Sequence, residues 1–150
     1  MNWTKDKSIT LSRVCTAVFA ALLLALDIGC YWLAKWFCVE LRGTPPQYAA
    51  MLMVSVYCGS VFAWICLYQL WKLLGNIRSG AVFTAENVRC MRRISWCCLW
   101  AALICLVSTL YYPPFIFLAI AAGFMALIVR IVKNAFQQAV AMKDELDLTI

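Results

Sequence analysis

Three kinds of residue in this 150-residue chain have types and spacing suited to chemistry: a lone acid in an apolar run, a triad of arginines, and nine cysteines. Asp27 is the acid, set among Leu22, Leu23, Leu24, Leu26 and Ile28. A carboxyl group at that depth in a membrane is costly, and where one is found it marks an ion or proton pathway or ties helices together in a neutral or hydrogen-bonded state. No basic residue stands at matching depth. Lys35, two turns on, is near enough to the end of the run to extend its ammonium to the interface. The cysteines are Cys15, Cys30, Cys38, Cys58, Cys66, Cys90, Cys97, Cys98 and Cys105. Most fall inside apolar runs and none forms a CxxC, so they read as small, polarizable packing residues. A redox role for Cys97 and Cys98 is the competing reading, although neighbours on a helix point about 100° apart.

Enzymatic chemistry has little to stand on. Histidine is absent, which removes the usual general base and the commonest metal ligand. There is no nucleophile motif and no phosphate loop. The acids Glu86, Asp144, Glu145 and Asp147 have no recognisable catalytic spacing. The expectation is a non-enzymatic protein with no catalytic, metal or cofactor-binding residues and no cofactor.

The elements that hold these residues are set by hydropathy. The chain is 65% hydrophobic with a mean hydropathy of +0.84, and 13% of it is charged. A soluble domain is about 45–50% apolar, so here the surface must be apolar as well. Spans are expected at about 14–38, 49–74, 94–112 and 114–132, each near the length of about 20 residues that crosses the hydrocarbon as a helix. Gly43-Thr44-Pro45-Pro46, Gly75 with Ser79-Gly80, and Tyr112-Pro113-Pro114 separate them. The fold class is therefore all-α: a polytopic membrane protein, one domain over 1–150, with four transmembrane helices in an antiparallel bundle.

Charge sets the orientation. Of the 13 Lys and Arg residues, only Lys35 and Arg42 fall on one side of these spans, and the other 11 fall on the opposite side. Cytoplasmic loops collect Lys and Arg, so both termini are expected in the cytoplasm, with a multi-pass protein in the bacterial inner membrane. The net charge of +6 has the same origin. Trp32, Trp36, Tyr48, Tyr111 and Tyr112 would lie at the outer interface, and Trp71 and Trp96 at the inner one.

Two segments would build the inner face. The first is the loop-helix 75–93. Thr84 suits an N-cap, Glu86 favours the dipole of the first turn, and Asn87 could reach back weakly, as in a capping box. Phe83 and Val88 have the spacing of a hydrophobic staple. A helix should start near Ala85 and continue into the third span. Arg89, Arg92 and Arg93 fall at i, i+3 and i+4 on its submerging end. That face reads first as an anchor for anionic membrane lipids and second as a dock for an acidic protein surface. It is too small and too near the bilayer for direct nucleic-acid binding. The second segment is the helical tail 133–150. Ile128, Val132, Phe136 and Val140 repeat every four residues, so the last helix should run amphipathically into the cytoplasm. Asp144, Glu145 and Asp147 make its end acidic, able to pair with the basic loop.

Leu74-Gly75-Asn76-Ile77-Arg78-Ser79-Gly80-Ala81-Val82-Phe83-Thr84-Ala85-Glu86-Asn87-Val88, followed by Arg92 and Ile94, resembles the signature of a bacterial integral-membrane family, DUF2975. The terminal Asp147-Leu148-Thr149-Ile150 matches the tail seen in that family. Met91 departs from the usual Leu, and the high Cys and Trp content is atypical. The resemblance implies four spans and no established activity; its motif residues Gly80, Phe83, Thr84, Glu86, Asn87 and Arg92, together with Arg89 and Arg93 of the arginine face, make up the candidate cytoplasmic face. Its members' genes often lie beside helix-turn-helix regulators, which implies by association a cytoplasmic protein partner of that kind. The competing expectation is a small transporter or an oligomeric channel that uses Asp27.

Overall fold

The computed structural model describes residues 3–149, with side chains from residue 7 onward. Ile150 and the side chain of Lys5 lie outside the described residues. The described residues form α1 (Trp3–Lys35), α2 (Pro46–Arg78), α3 (Ala85–Ser108) and α4 (Phe115–Leu148), with no strand among them. All four are long and apolar enough to cross a membrane. Helices suit this sequence because hydrocarbon offers no partner for backbone polar groups, and a helix satisfies them within the segment.

Burial is inverted relative to a water-soluble core. Most covered positions are small or polar, such as Ala34, Ala49, Ala119 and Ala126, with Thr16, Ser60, Gln69 and Ser108; the larger buried residues Leu73, Val88, Met91 and Ile94 gather where α2 meets the start of α3. Large residues point outward, among them Phe19, Ile28, Trp32, Val54, Tyr68, Phe117 and Ile120. In water such a surface would be a continuous sticky patch. In a bilayer it is the expected arrangement, since small residues let helix backbones approach while bulky ones meet lipid. The chain is a membrane protein with four transmembrane helices.

Among the described residues, close backbone approach between helices occurs only between neighbours in the chain: α1 with α2, α2 with α3, and α3 with α4. Each contact carries polar ties. Trp64 of α2 donates Nε1–H to Asp27 of α1 at 2.9 Å. Ser108 of α3 donates to Ser55 of α2 at 2.8 Å, and the Tyr111 hydroxyl joins Ser55 at 2.6 Å. Ser95 of α3 donates to the Ala126 carbonyl of α4 at 3.1 Å.

The helix ends follow the breakers. After Lys35 the helix widens into a π-helical segment, Trp36–Leu41. It stops at Gly43, whose φ of +60° is available to glycine at little cost. Thr44 closes this end by donating both N–H and hydroxyl to the Cys38 carbonyl. α3 ends at Ser108, short of the expected 112, and the chain continues in tighter turns, with the Leu110 N–H on the Val107 carbonyl and the Tyr111 N–H on that of Ser108, before it reaches Pro113. Pro114 caps α4, which then runs unbroken to Leu148. The face of α4 that the protein covers matches the expected stripe only at its cytoplasmic end, where Phe136 packs on the core and Val140 is half-buried. Ala119 and Ala126 are buried and Val129 and Phe136 pack on the core, while Ile128 and Val132 are 37% and 41% exposed. Regular i+4 spacing alone does not say which side of a lipid-exposed helix meets protein, because apolar residues suit both sides.

Candidate functional site

The residues of the resemblance converge on the turn between α2 and α3. α2 ends in a Schellman arrangement: the Gly80 N–H donates to the Ile77 carbonyl at 3.1 Å and the Ala81 N–H to the Asn76 carbonyl at 3.0 Å. This closure places the residue after the cap in left-handed backbone, and Gly80 adopts φ +83°. Thr84 is extended at φ −131°, ψ 149°, and its hydroxyl accepts the Asn87 N–H at 3.3 Å. It is therefore the N-cap of α3, which begins at Ala85 as the spacing predicts.

Asn87 is the centre of the turn and is fully buried, with 0% of its surface exposed. Its Nδ2 donates to the Ala81 carbonyl at 2.7 Å and the Val82 carbonyl at 2.8 Å. Its Oδ1 accepts from Asn76 Nδ2 at 2.8 Å. The weak backward reach expected of a capping box is thus replaced by a different job. Asn87 supplies the two carbonyls of the turn with donors and ties the start of α3 to the last turns of α2. An amide is suited to this because it offers two donors and an acceptor in one plane. Asn76 was missed as a partner. The signal was present as a polar residue at the end of an apolar helix, four before the turn glycine.

Packing and charge surround this network. Leu73, Cys90 and Met91 form a buried cluster, with Leu70, Ile77, Val129 and Phe136 against it. Phe83 is still 46% exposed, and its ring lies 5.5 Å from that of Phe136 on α4. Glu86 pairs with Lys72 at 2.7 Å across the turn. The Lys72 ammonium holds the Glu86 carboxyl below the usual carboxylate range, first through the hydrogen bond and then through its charge, with Arg89 and Asn76 adding smaller shares. The expected pairing of the acidic tail with the basic loop is absent among the described residues. Asp144, Glu145 and Asp147 are exposed, and the ion pair of this face is Lys72–Glu86. The arginine face divides: Arg89 lies close enough to influence Glu86, while Arg92 lines a pocket with α4 residues Arg130 and Lys133. Arg93 is exposed.

Asp27 is remote from this turn in the fold. Its Oδ2 accepts from Trp64, and its backbone carbonyl accepts from the Tyr57 hydroxyl at 3.2 Å. Oδ1 is buried without a hydrogen-bond partner. The carboxyl therefore ties α1 to α2, and the aromatic partners that the sequence reading missed come from α2, not from a basic residue. All nine cysteines are free, so no disulfide joins Cys97 and Cys98. Among the described residues no group of three His, Cys, Asp or Glu could hold a metal ion.

No curated protein and no solved structure matches the chain significantly. The family described as "Protein of unknown function (DUF2975)" matches residues 15–150, nearly the whole chain and all of the Asn76–Asn87 turn. The chain belongs to the DUF2975 family.

Proposed function

We propose that this protein is a non-enzymatic docking protein of the bacterial inner membrane. Its four helices form an antiparallel bundle with both termini in the cytoplasm, and its cytoplasmic face holds a soluble protein partner. The carrying observation is the end of α4. Beyond Val140 no other element among the described residues covers the helix, and Met142, Leu146 and Leu148 are 58%, 67% and 87% exposed, interleaved with Asp144, Glu145 and Asp147. Burial against a partner removes these apolar residues from water, and the three interleaved carboxylates oppose the alternative of settling on an anionic lipid surface. The acids select a partner with a basic surface. A helix-turn-helix regulator, the kind that the resemblance associates with these proteins, meets that requirement. The Asn76–Asn87 turn supports the reading indirectly, because it fixes α3 against α2 and so fixes the base from which α4 emerges.

Affinity purification of the full chain in mild detergent, beside Met142→Asp/Leu146→Asp, tests it. A basic cytoplasmic protein should copurify with the unaltered chain and be lost with the variant. Identical recovery from both removes the tail from any docking role.

A second reading rests on the unpartnered Oδ1 of Asp27, a buried acceptor of the kind that lines ion pathways. In that reading the protein is a small transporter or oligomeric channel. Flux into proteoliposomes that is unchanged by Asp27→Asn excludes the acid from the mechanism.

A further inference from the structure

Between α3 and α4, one turn beyond the Asn87 network, lies a pocket of about 190 Å³ lined by Arg92, Ser95, Trp96, Leu99, Arg130 and Lys133. It gathers three cations and no acid, and none of the three makes an ion pair among the described residues. Like charges held together by two packed helices repel one another, and an anion seated between them removes that cost. The helices are fixed at this point, because Ser95 donates its hydroxyl to the Ala126 carbonyl at 3.1 Å.

The pocket continues into an apolar one. A groove of about 500 Å³ runs along the same two helices and shares Trp96 and Leu99 with the basic pocket, then follows Leu103, Leu106 and Ile120. The basic part sits where a headgroup would lie and the apolar part where a chain would lie, with an interfacial tryptophan between them. A free phosphate satisfies the cations and leaves the groove empty. A neutral lipid fills the groove and leaves the cations unmatched.

We propose that the two pockets are one site for an anionic phospholipid. Its phosphate is held by Arg92, Arg130 and Lys133, and an acyl chain runs along the α3–α4 groove. Guanidinium groups suit this role because they meet phosphate oxygens in bidentate fashion. The site differs from general attraction of basic loops to a charged leaflet in holding one lipid at a defined place. It stands independently of any protein partner.

The test uses the full chain in neutral detergent with equimolar phosphatidylglycerol and phosphatidylcholine of identical acyl chains, read by native mass spectrometry. Phosphatidylglycerol should be retained one per chain, preferred on the order of tenfold or more. Arg92→Gln/Arg130→Gln/Lys133→Gln should abolish the preference, and so in large part should Arg130→Gln alone. Lys35→Gln/Arg78→Gln/Lys143→Gln removes the same charge elsewhere and should retain it. Ala102→Trp, which narrows the groove and leaves the cations, should weaken retention. A thermal-shift arm separates loss of the site from loss of the fold. Phosphatidylglycerol should raise the melting temperature of the unaltered chain and not of the pocket variant, while in phosphatidylcholine alone the variant, freed of the repulsion, should be at least as stable as the unaltered chain. Equal retention of both lipids, equal loss in the two triple variants, or displacement of phosphatidylglycerol by millimolar inorganic phosphate overturns the proposal.

Discussion

Asn87 is fully buried and Asp27 half-buried, and the two differ in how completely their polar atoms are satisfied. Asn87 places both amide hydrogens on carbonyls and its oxygen on Asn76. Asp27 places one carboxyl oxygen on Trp64 and leaves the other buried and unpartnered. A fully satisfied buried group fixes one geometry, while a half-satisfied one leaves a cost that some other state can relieve. The difference separates two roles: Asn87 makes a rigid joint, and Asp27 makes a tie with an acceptor to spare.

The largest effect should come from breaking the joint. Asn87→Ala strips the donors from two turn carbonyls and the acceptor from Asn76, at a cost of about 1–3 kcal/mol for each group left buried and unpaired. Asn87→Asp should be worse, because it is nearly isosteric yet points acceptors at the Ala81 and Val82 carbonyls. Denaturant unfolding in detergent ranks the pair. If the Asp variant is as stable as the original chain, the amide donors do not hold the turn.

The tie at Asp27 should be weaker. Side-chain hydrogen bonds between membrane helices are worth roughly 0.6 kcal/mol on average and up to about 1.7. A double-mutant cycle of Asp27→Leu with Trp64→Phe isolates this bond. The coupling should fall in that range, and Asp27→Asn, which keeps an acceptor for Trp64, should cost less than Asp27→Leu. A coupling near zero means that the 2.9 Å contact adds nothing to α1–α2 association.

The two centres also differ in how far the sequence revealed them. The four spans were legible because apolar length is a strong signal, and the start of α3 because Thr84 sits before a helical run with Glu86 in its first turn. Gly80 was legible only as a breaker between the second and third spans, and its left-handed backbone follows from the Schellman closure of α2. The partners were not legible. Asn76 lies 11 residues from Asn87, and Trp64 lies 37 from Asp27. Spacing along one helix carries no information about which face of the next helix it meets. The covered side of α4 was hidden for a related reason, since a membrane helix is apolar toward both lipid and protein. The basic pocket needed two such facts together: Arg92 had to be seen facing Arg130 and Lys133 across a contact that only the fold supplies.

Charge should matter least at this turn, and pH tests that directly. Lys72 and Glu86 meet at 2.7 Å, but their side chains are 43% and 52% exposed, so water and salt screen the pair. The folded chain lowers the affinity of Glu86 for a proton, because Lys72 stabilises the charged form. A depressed folded pKa gives stability that is fully present above the unfolded value, about 4.3 for glutamate, and that is lost as pH falls through the folded value. The melting temperature of Glu86→Gln should therefore lie slightly below that of the unaltered chain near neutral pH, and the gap should close in acid. It should also shrink in about 1 M salt, where the screening length falls to roughly 3 Å. A gap that persists in acid, or that rivals Asn87→Ala, would move the joint from the amide network to the ion pair.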